Sequence, residues 1–167
     1  MTMVLTGDGT ITGLVAGGLP DASVVQADLA SNVVGKGPAF DATASGSQTV
    51  NSGVYSKVLF ATENYDTNNN FASSTFTPTV AGYYQIGCNI TLGTTIGEFV
   101  IAVYKNGSLF RLLLDYTPTS TYAFSSGLLV SMNGSTDYLD IYVYQSSGVA
   151  KTVSSYSYFQ GFLARAA

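Results

Sequence analysis

Residues 138–144 read Tyr138-Leu139-Asp140-Ile141-Tyr142-Val143-Tyr144 and alternate without a break. Successive side chains of a strand point to opposite sides, so Leu139, Ile141 and Val143 share one face while Tyr138, Asp140, Tyr142 and Tyr144 share the other. The aliphatic face belongs in a core. The second face is less usual, because a strand buried on one side ordinarily turns Thr, Lys or Glu outward. Tyrosine suits a surface that an assembly covers: its ring buries a large area while its hydroxyl can still reach water or a partner. The leading expectation is a subunit contact through Tyr138, Asp140, Tyr142 and Tyr144, ahead of an exposed cross-strand aromatic ladder and of a ligand platform.

The same texture extends to either side of this strand. Tyr84, Ile86, Cys88, Ile90 and Leu92 alternate after Gly82 and predict a second strand, with Tyr83, Gln85, Gly87, Asn89 and Thr91 on its outer side. Phe99 to Tyr104 predicts a third, reversed by Asn106-Gly107 into Leu109 to Leu114, and Asn133-Gly134 turns Gly127 to Met132 into the tyrosine strand. Asn-Gly is the strongest short hairpin signal. Pro38 to Thr43, Tyr55 to Thr62 and Tyr156 to Ala164 supply the remaining strands. Eight or more short strands at this spacing predict an all-β protein, a two-sheet sandwich or jelly roll. Tyr156, Tyr158 and Phe162 share a parity, which suggests that the last strand lies beside another aromatic one and enlarges the same apolar area.

Composition excludes several classes of function. The 167 residues are 46% hydrophobic and 10% charged, with 6 Lys and Arg against 10 Asp and Glu, a formal charge of -4 and no histidine. That is ample for one core and offers no basic field to hold a phosphate backbone, so nucleic acid is not an expected partner. The single Cys88 cannot form an internal disulfide, and on the inner side of its strand it reads as a core residue. No basic segment leads into an apolar one at the start, and the longest apolar runs are a few residues, so neither a secretory signal nor membrane insertion is expected.

No catalytic constellation can be assembled. A serine nucleophile lacks the histidine that usually serves it, and no pair of carboxylates is set apart from the others. The expectation is a protein that is not an enzyme. The loop from Glu63 to Asn70 is dense in oxygen ligands, and Asp140 would be brought near its own copies around a symmetry axis. Asp66 and Asp140 are therefore weak candidates for holding calcium, against the plainer reading of a turn without metal.

Residues 1–37 carry no aromatic side chain and are rich in Gly and small residues. They read as a separate arm. Ser23 and Gln26 form a capping box, and Val25, Leu29 and Val33 recur every four residues, which predicts a helix of about three turns with one narrow apolar stripe. Such a helix is marginal in isolation, so the stripe implies packing with sister chains or against the domain, a flexible arm being the remaining alternative.

With the strands placed, residues 38–164 resemble the C1q-like branch of the C1q and tumour-necrosis-factor superfamily. The family's opening Pro-Ala-Phe stands as Pro38-Ala39-Phe40. Its Phe followed by Gly-x-Tyr-x-Phe is matched by Phe76, Gly82 and Tyr84, with Ile86 in place of the last Phe. Tyr104-Lys105-Asn106-Gly107 matches a family hairpin. Gly127-Leu128-Leu129-Val130 and Gly134 to Ile141 match a later pair, with two extra residues before Asp137. Phe159-Gln160-Gly161-Phe162-Leu163 matches the closing motif.

The resemblance implies a homotrimeric jelly roll over 38–167. Leu19 to Ala30 resembles segments ahead of the heads of bacteriophage tail-fibre and other virion-fibre proteins, and collagen-like repeats are missing. The implied role is a non-enzymatic virion fibre head, on a phage fibre or capsid surface, that contacts other virion proteins through residues 1–37 and binds a host-cell glycan or surface protein. The loops Glu63 to Thr75, Asp115 to Tyr122 and Ser146 to Ser155 are the contact candidates, with Tyr65, Tyr116 and Tyr122 among their residues. The alternative is a purely structural trimerisation, capsid-fibre or decoration protein with no receptor role.

Overall fold

The computed structural model describes residues 4–5, 11–12, 36–93, 97–117 and 123–167. The predicted helix within Ser23 to Val33 and the candidate Tyr122 lie outside them. The chain forms two compact units, Met1–Ala30 and Ser31–Ala167. In the first, β1 (Val4–Leu5) pairs antiparallel with β2 (Ile11–Thr12).

The second unit is all strand. It contains β3 (Ala39–Thr43), β4 (Thr49–Val50), β5 (Ser56–Lys57), β6 (Thr62–Asp66), β7 (Phe71–Ala72), β8 (Thr75–Phe76) and β9 (Gly82–Thr91), followed by β10 (Phe99–Lys105), β11 (Ser108–Tyr116), β12 (Ala123–Met132), β13 (Leu139–Gln145), β14 (Lys151–Thr152) and β15 (Tyr158–Ala166). One sheet has the order β11-β10-β13-β8-β7, with β5 also on β13; the other has the order β12-β9-β15-β3-β6. A short β14-β4 pair lies apart from both. Every pairing is antiparallel, so each strand can bury one face and leave the other outward.

The two inner faces meet in one core. Tyr84, Ile86, Cys88, Ile90 and Leu92 are all at most 1% exposed, as the alternation after Gly82 predicts, and Leu139, Ile141 and Val143 face them from β13. Phe40 is the hinge of the packing: its ring stacks on Phe76 at 4.3 Å and on Phe71 at 4.9 Å, and meets Phe159 edge-on at 4.9 Å. Gly161 stands opposite, where a Cβ would lie 3.0 Å from the Phe40 ring and from Ile86, so the glycine makes room for the stack. Burial pushes the Cys88 thiol up to about 12, which leaves it protonated and unreactive.

Three expectations are corrected. Tyr55 to Thr62 is not one strand: Ser56–Lys57 pairs with β13 in one sheet, whereas β6 pairs with β3 in the other. Val58 and Phe60 fill the gap between the sheets at 0% and 4% exposure, so this stretch crosses the core where a continuous strand would follow its surface. Residues 62–66 are accordingly strand, and the loop begins only after Asp66. The last strand, β15, lies between β9 and β3, so its aromatics extend the opposite face from the tyrosine strand.

Register fixes the two ends of the sandwich. Gly82 pairs with Met132 and Ala166, and Phe40 with Gly161, so Pro38 and Ala166 share a basal end. Thr91 pairs with Ala123, Thr43 with Tyr158 and Phe99 with Gln145, so residues 44–48 and 146–157 gather at the opposite end, the tip. Gly134, at φ +71°, turns the chain at the base, where a methyl group would fall against the backbone of Val80 and Ala81. Gly134→Ala is expected to lower unfolding free energy by about 2 kcal/mol or more in urea titration, from the combined strain of a left-handed backbone and this collision.

Candidate functional site: the two outer faces and the tip

The tyrosine strand keeps its predicted parity but acquires neighbours from its own chain. Ala102, Tyr104 and Lys57 come beside Tyr142 and Asp140 by strand pairing. The rings then cover one another: Tyr104 stacks on Tyr142 at 4.0 Å, and Tyr55 approaches Tyr144 at 5.1 Å and Tyr104 at 6.5 Å. Tyr138, Tyr142 and Tyr144 are half-buried within the chain itself. Burial, with the Asp140 carboxylate and the Tyr104 phenol beside it, pushes the Tyr142 hydroxyl up from its ordinary value.

Asp140 is only 6% exposed. Lys57 Nζ lies 2.7 Å from its Oδ1, and the Thr75 hydroxyl donates to the same oxygen at 2.7 Å while accepting from Lys57 Nζ at 2.6 Å. The carboxylate is therefore neutralised by a cation that is distant in sequence. Asp66, the other metal candidate, accepts from the Phe71 amide at 2.7 Å and from the Asn68 amide at 3.3 Å, closing the loop after β6. Among the described residues there is no group of three or more Cys, Asp or Glu side chains placed to hold a metal ion.

A second ion pair fixes the base. Lys105 Nζ lies 2.8 Å from Asp137 Oδ2, the Asn106 amide donates to Asp137 Oδ1 at 2.8 Å, and the Asn133 amide donates to Oδ2 at 3.0 Å. The Asn106 side chain also accepts from the Tyr138 amide at 2.9 Å, so it joins the β10–β11 turn to the start of the tyrosine strand. The Asn106 and Lys105 bonds hold the Asp137 carboxyl below its ordinary value of 3.8.

The opposite sheet also presents uncovered apolar surface. Tyr83, Leu129, Phe162 and Tyr65 are 44%, 57%, 52% and 51% exposed. Gly127 and Gly87 are cross-strand partners, and Gln160 pairs with Gly87 from the other side, so the middle of this face has no side chains on two adjacent strands. The result is a groove of about 320 Å³ with Tyr65 and Phe162 among its walls and Gln85 and Gln160 along it. Parity makes β9 and β15 legible as strands but does not show that Tyr65 comes beside Phe162, because that contact needs the β3–β6 pairing.

The predicted contact loops divide between the two ends. Tyr116, 48% exposed, closes β11 at the tip, and residues 146–155 lie there too. Tyr65 instead sits along the face, and the loop after it lies towards the base. The most exposed aromatic among the described residues is not one of the predicted contact residues: it is Tyr156, at 80%, on the turn that precedes β15.

This architecture, two antiparallel sheets with the first long strand of the body paired beside the last, is a C1q/TNF-like jelly roll. No family model matches the chain, and no curated protein matches it in sequence. Solved structures match in fold. The globular domain of zebrafish complement 1qA protein is 16% identical with a TM-score of 0.53, over 78% of this chain and 99% of that one. Murine APRIL is 7% identical at a TM-score of 0.57, over 75% and 98%. PRD1 vertex protein P5 is 18% identical at 0.57, over 75% and 96%.

The two ion pairs have measurable consequences. Lys57→Met leaves Asp140 buried and uncompensated and is expected to cost about 3 kcal/mol in urea titration, most of it recovered in the double variant Lys57→Met/Asp140→Leu. Asp137 titrates lower when folded than when unfolded, so its contribution is present above about pH 4 and disappears as pH falls through the lowered value. The stability gap between wild type and Asp137→Asn is expected to be widest near neutrality and to close as pH falls through the lowered folded value, read from melts across the acid range.

Proposed function

We propose that this chain is a non-enzymatic structural protein of a virus particle, whose jelly-roll body is a trimeric head and whose residues 1–37 fasten it to other virion proteins. The virion assignment draws support from the shared fold with PRD1 vertex protein P5 and from the fibre-like texture of Leu19 to Ala30. The observation that carries the assembly is the uncovered face of the β12-β9-β15-β3-β6 sheet. Four large apolar side chains about half-exposed on one side of a sheet are more than a lone subunit needs, and association around an axis removes them from water.

This face is favoured over Tyr138, Asp140, Tyr142 and Tyr144 as the subunit contact. The tyrosine rings already pack on Tyr55 and Tyr104, and Lys57 already compensates Asp140. Contact with a host-cell glycan or surface protein is a second reading, favoured by the gathering of Tyr116 and residues 146–155 at the end away from Pro38. Light scattering over a dilution series is expected to give the mass of three chains at micromolar concentration, and a monomer there would end the proposal. Phe162→Asp is expected to dissociate the trimer and Tyr142→Asp to leave it intact; the reverse result would move the contact to the tyrosine face.

A further inference from the structure

Tyr156 is 80% exposed although its turn is among the most firmly held parts of the tip. Its carbonyl accepts from the Asn89 side-chain amide at 2.9 Å, and its own amide donates to the Ser154 hydroxyl at 3.2 Å. The next residue, Ser157, is 0% exposed: its amide donates to the Ser154 carbonyl, its carbonyl accepts from Ala44, and its hydroxyl accepts from the Thr91 amide. One residue before this turn, Val153 is also fully buried, with its amide on the Gln48 carbonyl. The backbone is thus pinned on both sides while the ring is thrust into solvent. A ring that serves packing would turn inward, whereas one displayed on a fixed backbone is pre-organised for a partner.

The surroundings identify the chemistry of that partner. The segments that bond to the turn, residues 44–47, 89–91 and 153–157, contain no charged side chain. Ser45, Ser47 and Ser155 are exposed on the segments that form the turn's surroundings: a Cβ at Gly46 would lie 3.0 Å from the Ser155 amide, and the Ser45 and Ser47 hydroxyls lie 2.8 Å apart. A protein partner would be expected to seat an aromatic anchor inside a larger apolar patch. An isolated ring among hydroxyls instead matches a ligand that offers an apolar C–H face and a rim of hydroxyl groups, with no charge of its own.

We propose that Tyr156, with Ser45, Ser47 and Ser155, is a binding subsite for a neutral saccharide, the ring stacking on the sugar face and the serines bonding to its hydroxyls. The subsite deepens the receptor reading above and rests on the head being multivalent, since one shallow contact is weak and several copies on a particle raise its avidity. The intact chain would be run in native affinity gels containing dextran, mannan or laminarin as neutral polymers and hyaluronan as an anionic one. Wild type is expected to be retarded by at least one neutral polymer; Tyr156→Ala is expected to weaken this at least tenfold, and Tyr156→Phe to retain most of it. Ser45→Lys, which leaves the ring in place but crowds it, is expected to weaken it as well. Unchanged melting of each variant would exclude misfolding. Retardation by no neutral polymer, retardation by hyaluronan alone, or equal behaviour of Tyr156→Ala and wild type would overturn the subsite. Light scattering on the same samples reads the trimer separately, so a monomer that still binds sugar would refute the assembly and leave the subsite standing.

Discussion

The contact of Phe40 with Phe76 is the one on which the rest of the structure depends. It joins the first long strand of one sheet to a short strand of the other across the middle of the core. Around it Phe71, Phe159 and Tyr84 take edge and face positions that only a thin, evenly spaced sandwich allows. The spacing in turn requires Gly161, and it leaves Val58 and Phe60 to pass between the sheets as the chain changes sides. Once this layer is set, parity decides what every long strand shows to the outside.

That dependence explains which features the sequence discloses. β9 and β13 were legible because alternation over seven to ten residues is a local pattern, and it correctly named Tyr84, Ile86, Leu139 and Ile141 as core. The crossing at 58–61 was not, since Val58-Leu59-Phe60-Ala61 is an unbroken apolar run that reads as a buried strand, and nothing local marks the change of sheet. The outward parity of the tyrosine face is local and legible, and its expected cover is a sister chain; that Tyr55, Tyr104 and Lys57 of the same chain pack there is a matter of pairing between distant segments. The setting of Tyr156 is hidden in the sequence for a related reason. Parity grouped it with Tyr158 and Phe162, whereas Asn89, 67 residues away, fixes its backbone in a turn.

The few charges are used with economy. Two of the cations, Lys57 and Lys105, neutralise the two most enclosed carboxylates among the described residues and bridge elements far apart in the chain. Each pair is relieved further by neutral donors, Thr75 in one case and Asn106 with the Asn133 amide in the other. Ion pairs enclosed in this way contribute less to net stability than to specifying one arrangement of strands, because any shift of register would strand a charge. This suits a sheet whose outer surface is otherwise made of tyrosine and leucine, residues that would tolerate several registers.

The chain enters the body at Pro38 and completes β15 at Ala166 on the same side, leaving the tip made only of internal connections. The body is therefore a cassette whose entry and exit share one side. Exchange between genes would carry the whole body without re-registering β3 or β15, and drift in residues 44–48 and 146–157 could alter what the tip meets while the base kept its register. Freedom to vary at one end and constraint at the other are what the stopping points of two strands would impose.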